Sequence, residues 1–132
     1  YIPRQGDANI GDQNLTNPNN YRSIRFADVL LMAAEAHNKS GNDGVARAYL
    51  NRVRNRAGLV DTSASGAALE DAIYFERRLE LVGEGHQFFD AVRTGRAPQE
   101  IEGFVAGKNE LFPIPEIEIL LTGNRWQQNP NY

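Results

Sequence analysis

The chain has 132 residues, 41% of them apolar and 23% charged, which suits one globular unit with a modest core and excludes a disordered or fibrous chain. Its net charge of -3 gives no electrostatic footprint for nucleic acid, and the absence of cysteine excludes disulfides, thiolate metal sites and a cysteine nucleophile. The longest mainly apolar run, Phe26 to Ala36, is interrupted by Asp28 and Glu35 and is too short to span a bilayer.

Residues 1–22 are rich in Asn, Gly, Asp and Pro without apolar periodicity and read as an extended loop. Within it, "DANIGDQN" offers Asp7, Asn9 and Asp12 in the manner of a calcium loop. Its glycine falls one place early and the twelfth position is Pro18, so an EF-hand is excluded. The tripeptides at Asn14 and Asn38 fit the glycosylation pattern, which matters only in a eukaryotic secretory context. From Ile24 to about Asn38 the chain reads as a helix that is apolar nearly all round, broken by "SGND". A second helix runs from about Gly44 to Arg56, with Ala46, Leu50, Val53 and Ala57 on one stripe and Gly58 stopping it. Together they predict a hairpin over 23–58. Leu30, Ala33, Ala34, His37, Gly41, Ala46, Leu50 and Val53 follow the tetratricopeptide frame, with His37 where a tyrosine is usual. The small Ala34 and Ala46 would let the two helices approach closely.

A third helix is expected over about Ala67 to Val82, capped by Ser63 or Ser65, with Glu70 and Asp71 in its first turn. Gly83 and Gly85 bend or end it. Residues 86–94 form a short fourth helix whose Phe88 and Phe89 are expected in the local core, completing a second helix pair over 63–95. The tail, 96–132, contains Pro98, Pro113, Pro115 and Pro130 and reads as mostly irregular, with one short helix in "EIEILL" after Pro115. The fold class is therefore mainly α: tetratricopeptide-like hairpins with long irregular N- and C-terminal segments. Two hairpins are fewer than the three or more units a repeat stack needs. In the first helix, residues Leu30 to Ala34 point apolar groups in every direction. The chain is thus expected to be a piece of something larger, with Leu30 and Leu31 covered by polypeptide from a preceding part.

Glu76, Glu80 and Glu84 fall on the same helical face as Leu69 and Ile73, the face a helix turns inward. An ionised carboxylate buried without a partner costs several kcal/mol, so the stripe is either paired with arginines or lines a site that uses carboxylates. Glu80 and Glu84 could form the acid pair of a glycosidase. The preferred reading is a clamping charge network, because Arg77, Arg78 and Arg93 lie nearby and Arg47, Arg52, Arg54 and Arg56 crowd the second helix. The same pairing neutralises the basic helix and removes a phosphate-binding patch. His37 and His86 have no local partner at metal-ligand spacing and are assigned to packing or capping. "GEGHQF" has Phe88 where a dinucleotide fingerprint needs its third glycine. Tyr1, Tyr21, Trp126 and Tyr132 offer faces on which a sugar ring could stack, but anchoring of the tail is preferred for Trp126 and Tyr132.

Taken together, "RFADVLLMAAEA", "LNRVRNRAGL", "ERRLELVGEGHQFFDAVRTG", "LFPIP" and "QNPNY" resemble, in order and spacing, the C-terminal part of the SusD/RagB family over roughly residues 22 to 132. Trp126 stands where leucine is usual, and Val82 where the family often has Ala-Phe. The resemblance implies a piece of a lipid-anchored outer-membrane protein of Bacteroidetes-type bacteria. Such a protein binds glycans or other nutrients at the cell surface and works with a SusC-like TonB-dependent transporter. It implies a binding protein rather than an enzyme, and beside it no cofactor, metal or nucleic-acid partner is expected. It also makes the charged "ERR" segment a scaffold signature. Because the family's ligand contacts belong to an earlier part of the polypeptide, no ligand-contacting residue is assigned. A helical module that binds another protein without touching ligand is the alternative, and a glycoside hydrolase rests only on the glutamates.

Overall fold

The computed structural model describes residues 23–123 and 125–132. The expected loop over 1–22, with Tyr1, Asp7, Asn9, Asp12, Asn14 and Tyr21, lies outside the described residues. Among these there are helices and no strands: α1 (Phe26–Lys39), α2 (Asp43–Arg56), α3 (Gly66–Glu80), α4 (His86–Arg93), α5 (Ala97–Glu100) and α6 (Glu116–Leu121). None is long and apolar enough to cross a membrane.

The α1–α2 hairpin forms because the chain reverses at Gly41, whose φ of 77° suits glycine. The Gly41 and Asn42 amides close back on the carbonyls of Asn38 and His37 at 2.9 and 2.8 Å, satisfying the end of α1. The same closure ends α2, where Leu59 donates to the Arg54 carbonyl. Ala34 and Ala46 are fully buried, as a close helix approach requires, and join Leu30, Leu31, Leu50, Val53, Leu69 and Ile73 in one core.

Polar contacts give the direction of α3. Arg47 donates to the Ala64 carbonyl, Arg54 pairs with Glu76 and Arg56 with Glu80, so α3 runs in the same direction as α2. Arg25 meets Glu80 and Glu84, Asp28 meets Arg77, and Lys39 meets Glu70, so it runs antiparallel to α1. Lying in the groove of the hairpin, α3 helps α2 bury Leu30 and Leu31, which are 7% and 0% exposed. The expectation that these two need polypeptide from elsewhere is therefore corrected. What stays exposed is the outer row of α1, Phe26, Val29 and Met32, and that of α3, Phe75 and Leu79.

The start of α3 also differs from expectation. Ser65 occupies the N-cap, but its side chain makes no capping bond. The cap comes from α2 instead: Asp43 Oδ2 accepts the Gly66 amide at 2.6 Å, and Asn38 Nδ2 donates to both Asp43 Oδ1 and the Gly66 carbonyl. These bonds, the Gly66 amide first, hold the Asp43 carboxyl below its usual range. Because the helix starts at Gly66, Glu70 and Asp71 fall beyond the first turn, where they pair with Lys39 and Arg96. The helix ends at Glu80 rather than Val82.

Arg77 sits at the centre of the charged framework, its side chain 5% exposed. Its Nη1 donates to Asp28 Oδ1 of α1 at 2.7 Å and its Nε to Asp90 Oδ2 of α4 at 3.0 Å. Arg93 extends the chain of charges by bridging Asp90 to Glu35. The glutamate stripe is paired as the network reading requires, Glu76 with Arg54, Glu80 with Arg25 and Arg56, and Glu84 with Arg25. No buried side-chain nitrogen or oxygen among the described residues lacks a partner. One expectation fails here: Phe88 and Phe89 are 36% and 68% exposed. Since Arg77 needs Asp90, α4 turns its Asp90–Ala91 side inward, and both phenylalanines are left toward the outside.

Arg77→Ala strands the buried Asp28 and leaves Asp90 with Arg93 alone, and is expected to cost about 3–5 kcal/mol, whereas truncating the exposed Arg125 costs close to zero. Urea unfolding of the two variants beside the parent chain checks the difference.

Candidate functional site

Past Glu80 the chain turns through 81–85, and Gly85, in the left-handed region at φ 84°, serves as the N-cap of α4. This reversal, with α5 beyond it, leaves an open cleft of about 690 Å³ beside the C-terminal half of α3. Leu81, which is 3% exposed, Ile101 and Phe88 supply its apolar lining. Phe88 is backed by Phe104, with ring centres 6.3 Å apart. Arg78, Glu100, Glu102, His86 and Gln87 supply its polar lining.

Tyr74 fixes the α5 side. Its hydroxyl donates to Glu100 Oε2 at 2.6 Å, and the Arg96 guanidinium lies 4.5 Å over its ring while also bonding Asp71. Burial, followed by the bond to the Glu100 carboxylate, pushes the Tyr74 phenol up to about 12. The Arg77–Asp90 pair, which also lines the cleft, is backed by Arg93 and Glu35. Arg93 holds the Glu35 carboxyl below its usual range through their hydrogen bonds, against the opposing effect of burial.

The glutamates singled out for acid catalysis have a different setting. Arg25 grips both Glu80 and Glu84 and lowers the Glu84 carboxyl, the reverse of the raised value a general acid needs. His37 stacks on Tyr49 with ring centres 5.6 Å apart, a packing role, while His86 begins α4 and lines the cleft. Among the described residues no group of three or more His, Cys, Asp or Glu is placed to share a metal ion. The cleft itself was missed by sequence reasoning, and the only signal for it was the Gly83–Gly85 pair that interrupts the helical pattern.

The tail is anchored, but mainly by amides. Gln128 exchanges two 2.8 Å bonds with the Ile114 backbone, Asn129 donates to the Phe112 carbonyl and Asn131 to the Gly107 carbonyl. Tyr132 donates to the Leu111 carbonyl, as a tail anchor should. Trp126, expected to help, is 53% exposed, and its only hydrogen bond among the described residues is from its own amide to Thr122 Oγ1 at 3.4 Å. The segments "LFPIP" and "QNPNY" are thus the two halves of one knot.

Comparison with known proteins agrees with this architecture. The model of the SusD family matches residues 4–111, starting earlier than the resemblance at residue 22 and stopping before the "QNPNY" ending. SusD-like protein P2 of Formosa agariphila is 33% identical, the match covering 92% of this chain and 28% of the relative. SusD-like protein P25 of the same organism is 42% identical over 54% of this chain and 15% of its own length. A crystal structure of a SusD-like protein from Bacteroides fragilis superposes with a TM-score of 0.77 at 27% identity, covering 83% of this chain and 25% of that one. The chain therefore spans about a quarter of the length of these two better-covered relatives.

Tyr74 links this wall to pH. Its folded value lies above the ordinary 10.0, so its contribution to stability is complete below pH 10 and is lost as pH rises toward about 12. Tyr74→Phe should lower stability at neutral pH by about 1 kcal/mol and abolish that alkaline loss. Melting curves across the alkaline range, run beside phenolate absorbance, check both effects.

Proposed function

This chain belongs to the SusD family, and we propose that it is the C-terminal helical portion of a protein that binds a nutrient, specifically a glycan, at the bacterial cell surface. The bound nutrient passes to a SusC-like TonB-dependent transporter in the outer membrane. The whole protein is held there by lipid on an N-terminal segment and works by binding, without catalysis or cofactor.

The observation that carries this reading is the agreement of sequence and backbone with SusD-like proteins over most of the chain. Two features of the fold support it. The glutamate stripe is spent on arginines, in keeping with a scaffold. The outer rows Phe26–Val29–Met32 and Phe75–Leu79 leave large apolar side chains exposed on adjacent turns, a pattern typical of surfaces that meet another part of a protein. In this reading they meet the remaining polypeptide of the same protein.

The longer protein containing this chain, purified from detergent-solubilised outer membranes, is expected to co-elute with a TonB-dependent transporter. It should also bind oligosaccharide without releasing reducing ends on long incubation. Hydrolysis that disappears in Glu80→Gln, or recovery of the protein away from any transporter, would overturn the proposal.

A further inference from the structure

We propose that the cleft beside α3 is a binding site for an uncharged sugar, whose neighbouring hydroxyls bridge Arg78 and Glu100 while its C–H face lies on Phe88. The inference rests on the reading of the chain as part of a nutrient-binding protein, and it places a ligand site on this chain's own residues.

Ion pairing across the molecule points to this spot. Arg25, Lys39, Arg54, Arg56, Arg77, Arg93 and Arg96 meet their carboxylates at 2.5–3.0 Å. Arg78 and Glu100 stand apart at 3.5 Å, and both line the cleft. The oxygen that Arg78 faces, Oε2, is the one that already accepts the Tyr74 hydroxyl at 2.6 Å. The other, Oε1, has no partner among the described residues. The site thus presents a positioned acceptor, Oε1, and, beside the same carboxylate, the Arg78 guanidinium, whose side chain makes no hydrogen bond among the described residues.

Ligand chemistry follows from these two groups. A guanidinium only donates and an ionised carboxylate only accepts, so a group that satisfies both must do both, as a hydroxyl does. Two adjacent hydroxyls allow one to donate to Glu100 Oε1 and the next to accept from Arg78. A phosphate or carboxylate ligand would face Glu100 and Glu102, and an ammonium ligand would face Arg78, so the mixed signs favour a neutral polyol. The apolar lining from Leu81, Ile101 and Phe88 suits the C–H face of a sugar ring. The volume of about 690 Å³ falls within the roughly 300–1,000 Å³ usual for small-molecule sites.

The test titrates the isotope-labelled chain with neutral oligosaccharides of glucose, galactose, mannose and xylose, and with an oligouronate as the charged control. Amide signals of Arg78, residues 86–88 and residues 100–102 should shift with at least one neutral probe and not with the uronate. Arg78→Met and Phe88→Ala, each with unchanged melting behaviour, should weaken binding at least tenfold. No shift with any neutral probe, or affinity indifferent to both variants, would overturn the proposal. If the longer protein still binds glycan in that case, the nutrient-binding reading stands and only the cleft assignment falls.

Discussion

A single guanidinium sets the geometry of this molecule. Arg77 is buried, and a buried charge is tolerated only when its hydrogen-bonding capacity is met by well-placed partners. Those partners are Asp28 from α1 and Asp90 from α4, which lie on opposite sides of it in the sequence. Three helices are therefore joined at one point, and any slide or rotation of α4 would strand charge in the interior. Arg93 and Glu35 form an outer ring around that point. Hydrogen bonding to Arg93 lowers the Glu35 carboxyl from its ordinary 4.5, so this outer contribution is complete above that value and fades as the medium becomes more acid.

The cleft follows from the same constraint. Consecutive residues on a helix point about 100° apart, so the neighbouring arginines of "ERR" cannot share one environment. Both border the cleft, but Arg77 is turned inward with its side chain 5% exposed and Arg78 outward with its side chain 45% exposed. Because Asp90 fixes α4 and the Tyr74–Glu100 bond fixes α5, the end of α3 is flanked on two sides but not covered. A scaffold segment and a candidate ligand surface are thus produced by adjacent residues of one motif.

Much of the helical layout is legible in the sequence. Apolar periodicity placed α1 to α4, and Gly41 and Gly58 marked stops that the backbone uses. The inward placement of Glu76 and Glu80 was an anomaly with a physical resolution, and Arg54 and Arg56 supply it. What escaped were partners far apart in sequence. Asp28 read as a blemish in an apolar run because its partner lies forty-nine residues away. Arg25, just before α1, gave no sign that it would reach Glu80 and Glu84. Phe88 and Phe89 look like core by composition. Their outward placement is decided by Asp90, whose role shows only once Arg77 is located. Asp43, not a serine, caps α3, because the cap is delivered across the hairpin rather than along the chain.

The central claim is that Arg77 and Asp90 act as one unit, and a double-mutant cycle measures it most directly. Arg77→Met, Asp90→Asn and the double variant are compared by urea unfolding against the parent chain. Coupling toward the upper end of the roughly 0.5–3 kcal/mol seen for residues in contact is the predicted result. Effects that add to within about 0.5 kcal/mol would contradict it and show that α4 is held in place by something other than this clamp.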